Sequence, residues 1–142
     1  MSIHHRIDEL KQKFSSLSEW EDRYKLIIEM GKKLETLPEA GKAETFKIKG
    51  CQSQVWLYPE LQADRVIFYG DSDAAIVKGI VALLIAVYSQ STPDEILATK
   101  PLFLEEMGIR EHLSMSRANG LSSMLKQIQL YGLAYKAKLS AR

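Results

Sequence analysis

The order of patterns along this chain predicts an α+β fold, a small antiparallel sheet of about three strands with helices packed on it. Two observations carry that expectation. Two segments of helical periodicity come first, adjacent stretches of period-two alternation follow, and several more helical segments close the chain. Nowhere do strand and helix alternate as a parallel sheet requires. A length of 142 residues suits a single domain over 1–142, able to bury one substantial core without disulfides or metals.

The first helix is read from Ile3, Ile7, Leu10 and Phe14, which share one face with charged residues between them. Ser15 and Ser16 interrupt it. Ser18, with Glu21 three residues on, has the form of a capping box opening a second helix through "SEWEDRYKLIIEMGKKL". Its inward stripe is expected at Trp20, Tyr24, Ile27, Ile28, Gly31 and Leu34. Pro38 and Gly41 mark "ETLPEAGKAETF" as a surface loop. Alternation around Phe46 and Ile48 suggests a first strand, interrupted by the segment bearing Cys51. "VWLYPEL" and "DRVIFYGDS" then read as an antiparallel pair connected through "PELQAD".

In "GDSDAAIVKGIVALLIAVYSQ", Asp71 or Ser72 can cap a helix and Asp73 can complement its dipole. That helix is apolar nearly all round, so it belongs at the centre of the core, with Gly79 permitting a close neighbour. "STPDEIL" starts a short helix with Thr92 as cap, Pro93 in the first turn and Glu95 completing a capping box. Pro101 ends that segment before "LFLEEMGI". A last helix is expected after "SMSRANG", its buried face made by Leu121, Met124, Leu125, Ile128 and Tyr131 or Gly132.

Composition removes several function classes. A net charge of +1, with no basic stripe interleaved with aromatics, gives no footprint for nucleic acid. The longest apolar stretch, Ala74 to Tyr88, contains Lys78 and is shorter than the roughly 18 residues of a membrane span, so no membrane partner is expected. "MSIHHRIDELKQKF" lacks the apolar core of a signal peptide, and one cysteine cannot form an intrachain disulfide. Both features point to the reducing cytoplasm. One cysteine and three histidines are too few for a structural zinc site or an iron–sulfur cluster, and no nucleotide-binding glycine pattern occurs. No metal and no cofactor is expected.

What remains is the thiol in "KIKGCQSQVWLYPE". Cys51 follows Gly50, which suits a tight turn that presents the next side chain, and it sits in a polar run rather than among apolar neighbours. Lys47 and Lys49 supply positive charge, and in an irregular loop the amides of Gln52 and Ser53 are expected to be able to face the sulfur; both features would favour a thiolate. Against this stands the ordinary fate of a free cysteine, buried and inert; the two readings weigh about equally. A self-sufficient thiol enzyme would need a base held near the sulfur, for which His112 is the only candidate.

"GCQSQVW", "GDSDAAIVKG", "LSMSRANGL" and "WEDRYKLIIEMGKKLETLP", in register from Trp20 to the last helix, resemble the SufE family of sulfur-acceptor proteins. The resemblance implies a fold like that of an iron–sulfur scaffold protein and a relay in iron–sulfur cluster assembly. A SufS-like cysteine desulfurase, which carries the pyridoxal phosphate, holds sulfur as a persulfide. Cys51 takes that sulfur, and the acceptor stimulates the desulfurase and passes the sulfur to a SufBCD-like scaffold complex. A homodimer is left open. Around Cys51, the residues expected to bind the partner or support the loop are Lys49, Gly50, Gln52, Asp73 and Arg117. Each has a plainer reading: Asp73 as a helix cap, Arg117 as a surface ion pair, Gln52 as a solvated amide. The alternative function is a stand-alone peroxidase or thioltransferase, which the absence of a resolving cysteine and of a C-x-x-C motif disfavours.

Overall fold

The structure, a computed structural model, describes residues 2–141. Helix α1 (Ile3–Ser15) buries Ile3, Ile7, Leu10 and Phe14, the four residues that the spacing selects. Helix α2 (Trp20–Lys32) follows, without the expected capping box: Glu19 stands at its N-cap with no side-chain bond to the helix. Packing fixes this end instead. The Trp20 ring stacks on His112 at 3.6 Å between centroids, and Arg23 Nε donates to the Leu17 carbonyl at 2.7 Å. Two short 3-10 turns, Glu39–Lys42 and Glu44–Phe46, occupy the loop that Pro38 and Gly41 announce.

The sheet has two strands, β1 (Val55–Gln62) and β2 (Arg65–Ser72), paired antiparallel with Val55 opposite Ser72 and Gln62 opposite Arg65. The third strand expected at Phe46 and Ile48 is reduced to a single bridge, Lys47 to Trp56, with Ile48 N–H donating to the Val55 carbonyl at 2.8 Å. The 3-10 turn ends at Phe46 and Gly50 adopts φ +87°, so the chain lies extended too briefly to form a ladder. The hairpin turn is only Ala63 and Asp64, tighter than the connection expected, with Ala63 in the left-handed region at φ 55°. The outer edge of β1 is closed by the last helix, where Tyr131 and Tyr135 hydroxyls donate to the Leu57 and Pro59 carbonyls.

Helix α3 (Ala75–Tyr88) is the core element, with Val77, Ile80, Val81, Leu83, Leu84, Val87 and Tyr88 all buried. It crosses α2 at two glycines. A β-carbon on Gly31 would sit 2.8 Å from the Gly79 nitrogen, and one on Gly79 would lie 2.7 Å from the Ile27 carbonyl carbon. The helices meet backbone to backbone, as Gly79 suggested. Helix α4 (Pro93–Ala98) opens with the full capping box of Thr92 and Glu95, and α5 (Leu102–Glu106) follows Pro101. Helix α6 (Met115–Ser140) begins earlier than expected, because Ser114 caps it through the Arg117 N–H and "SMSRANG" lies inside it. It buries Gly120, Leu121, Met124, Leu125, Ile128 and Gly132.

Candidate functional site

Cys51 sits in the loop of residues 49–54, just before β1. The loop is fastened at its base. Ile48 bonds to Val55 on one side, and on the other the Gln54 N–H donates to Asp73 Oδ1 at 3.0 Å. The Asp73 N–H returns a bond to the Gln54 carbonyl at 3.3 Å. Asp73 therefore does not cap α3; its carboxylate ties the cysteine loop to the turn between β2 and α3. Asp71 accepts from the Ser72 N–H and Ser72 Oγ accepts from the Ala74 N–H, so neither side chain caps the helix, while Asp71 also pairs with Lys78 of α3 at 3.3 Å.

Beyond its base the loop rests on α6. A β-carbon on Gly120 would lie 3.1 Å from the Cys51 sulfur, and one on Gly50 would lie 3.1 Å from Ser123 Oγ. The sulfur faces a cavity of about 330 Å³ whose apolar wall is Val77, Ile80 and Met124 and whose polar rim includes Gln52, Ser116 and Arg117. Cys51 is half-buried, and that burial alone pushes its thiol up from the ordinary 9.0. At neutral pH the resting group is a protonated, weakly nucleophilic thiol.

The lysines do not counter this. Lys47 pairs with Glu44 at 3.1 Å and lies 5.5 Å from the centre of the Trp56 ring, while Lys49 is exposed and stands outside the cavity. Gln52 and Arg117 are brought to the sulfur's cavity, Gly50 shapes its loop and Asp73 holds that loop's base. His112, the only candidate base, is stacked on Trp20 with Nδ1 2.9 Å from the Gly108 carbonyl, and does not line the cavity. The apolar wall, Val77 and Ile80 on α3 and Met124 on α6, escaped the sequence reading, as did Gly120. Their helical spacing marks buried faces, but nothing local says that those faces meet a loop that lies well earlier in the chain, some seventy residues earlier for Gly120 and Met124.

A larger concavity, about 670 Å³, lies beside the other end of β2, lined by Arg6, Arg65, Ile67 and Gln90 among others. It contains no thiol, and its one serine, Ser89, accepts from the Phe68 N–H. Arg65 is engaged with the Gln90 carbonyl and Glu95, and Arg6 donates to Ser91 Oγ. Among the described residues, no group of three or more His, Cys, Asp or Glu is placed to hold a metal ion, and no helix is long and apolar enough to cross a membrane.

Comparison with known proteins matches residues 8–131 to the family model SufE, Fe-S metabolism associated domain. An uncharacterized SufE-like protein of Rhizobium meliloti is 41% identical over 128 residues, covering 87% of this chain and 91% of that protein. Another from Rhizobium etli is also 41% identical over 128 residues, covering 87% of this chain and 86% of the relative. The solution structure of a hypothetical protein from Thermus thermophilus superposes with a TM-score of 0.79 at 22% identity, over 93% of this chain and 96% of that one, which speaks to the fold alone.

Proposed function

The chain belongs to the SufE family, associated with Fe–S metabolism, and from that premise we propose that it is a sulfur acceptor that takes persulfide sulfur from a cysteine desulfurase onto Cys51. The observation that carries this reading is the placement of the chain's sole cysteine. It stands on a loop whose hydrogen bonds lie at its base, its sulfur against a cavity of about 330 Å³ that has room for a further sulfur atom. A thiol raised by burial, with no base in its cavity, suits chemistry that begins when a partner arrives. The same features disfavour an autonomous peroxidase or thioltransferase.

In the transfer, the Cys51 thiol gives up its proton and its thiolate attacks the terminal sulfur of the desulfurase persulfide. A bond forms between the Cys51 sulfur and that terminal sulfur. The bond to the desulfurase's own cysteine breaks, and its electron pair leaves with that cysteine as a thiolate, which takes up a proton. No outside oxidant or reductant enters. The desulfurase is freed for another turnover, which is stimulation, and the sulfur travels on Cys51 to an iron–sulfur scaffold complex. Arg117 and Gln52 on the cavity rim and exposed Lys49 form the docking face, and Asp73 sets the loop's base within it. A cytoplasmic setting follows from a carrier that must keep its thiol reduced between transfers.

The test is sulfide release by a partner desulfurase with and without this protein. Wild type should raise turnover several-fold and Cys51→Ser should not. A Cys51→Ser protein that stimulates as well as wild type would overturn the carrier reading.

A further inference from the structure

We infer that Gly120 is a positioning residue: the bare helix surface it leaves on α6 is the seat on which the Cys51 sulfur rests, and a single methyl there shifts the sulfur off that seat. This rests on the sulfur-acceptor reading for its purpose, though the seat itself can be tested without it.

The loop touches α6 at two points three residues apart, and such positions share one helix face. Cys51 lies against Gly120, and Gly50 lies against Ser123. At Gly120 an added β-carbon would stand 3.1 Å from the sulfur and 3.9 Å from the Cys51 β-carbon. The first distance is well inside the roughly 3.5–4.0 Å at which heavy atoms attract, so one side must give way. Helix α6 is the worse candidate to move. Leu121, Met124 and Ile128 anchor it in the core, and its Tyr131 and Tyr135 hydroxyls are bonded to β1. The loop is hydrogen-bonded at its base and only packs against α6 beyond it, and Gly50, at φ +87°, carries its turn.

The glycine is also a local misfit in its own helix. It lies inside α6, where alanine would serve the helix better. Its compensation lies across the cavity, at the sulfur. Substitution should therefore separate two quantities that a merely structural residue would move together: helix stability is kept or improved while the thiol gains access to water. Arg117 is the one charged side chain lining that cavity among the described residues, so relief of burial is the main change the thiol experiences.

The experiment is alkylation of Cys51 by iodoacetamide in the free protein, followed across pH, for wild type and Gly120→Ala. Expected are labelling about five- to tenfold faster at neutral pH, because access and thiolate fraction both rise, a pH midpoint displaced downward, and a thermal midpoint no lower than wild type. A folded Gly120→Ala protein with the wild-type labelling rate and pH profile would overturn the inference. Should that variant not fold, wild type gives the answer: alkylating Cys51 must shift the backbone amide resonances of Gly120 and Leu121, and unmoved resonances would overturn the seat. No desulfurase enters either measurement. A failed seat thus leaves sulfur acceptance standing, whereas faster labelling in a protein that never accepts sulfur upholds the seat and removes the proposed function.

Discussion

Glycine brings chain segments into close approach both at the crossing of α2 and α3 and at the cysteine loop, and the two contacts behave differently. At the crossing of α2 and α3, Gly31 and Gly79 set one helix backbone against another, inside a continuous core. At the site, Gly120 sets a helix backbone against one side chain on a loop. The first contact has rigid elements on both sides and no way to open short of unfolding. The second has a rigid element on one side only. A close approach is a lock when both partners are anchored, and a latch when one of them can leave.

The largest effect should come from breaking the lock. Gly79→Ala drives a β-carbon into the Ile27 backbone, which no rotamer change relieves, so the expected loss is about 3 kcal/mol or more in urea unfolding. Gly120→Ala should leave global stability unchanged or raise it by less than about 1 kcal/mol, since the helix gains at least what the latch loses. Equal losses at the two positions would erase the distinction.

Next in size is a titration that sharpens the comparison. Tyr88 is fully buried, its hydroxyl donates to the Thr99 carbonyl, and burial pushes its phenol up from 10.0 to about 12. Below pH 10 both folded and unfolded chains hold that proton and the contribution is complete. As pH climbs from 10 toward 12 the unfolded chain releases it first, so stability falls, by roughly 2–3 kcal/mol across the window. Tyr88→Phe should flatten this part of the pH–stability curve, and an equally steep curve in that variant would place the loss elsewhere. Cys51 is also raised by burial, but loop movement alone should release it, without unfolding.

The smallest effect concerns the latch's hinge. Asp73→Ala removes the acceptor for the Gln54 N–H in an exposed position that water can refill, so the cost should be about 0.5–1 kcal/mol. Its sharper signature is hydrogen exchange. The Gln54 amide should exchange faster in the variant while amides in the middle of α3 keep their protection; unchanged exchange at Gln54 would mean the carboxylate does not hold the loop.

Legibility in the sequence follows the range of the forces involved. The face of α1 and the capping box at Thr92 and Glu95 are written in neighbours three or four residues apart, and both form as read. Ser18 and Glu21 carry the same local signature, yet the chain starts α2 through Trp20 stacked on His112, a partner far along the chain. "SMSRANG" reads as a loop because Asn119 and Gly120 weaken a helix locally, but Ser114 caps it and Leu121, Met124 and Ile128 bury its face. Cys51 could be singled out because it is unique. Its cavity could not, since Gly120, Val77 and Met124 reach it only through the tertiary fold.

The most direct measurement of the central claim is the mass of the protein after incubation with a partner desulfurase and free cysteine, taken without reductant and mapped to peptides. The account predicts one or more added sulfur atoms on the peptide that contains Cys51, removable by a small thiol and absent in Cys51→Ser. A desulfurase that turns over and is stimulated while this peptide stays unmodified would contradict it.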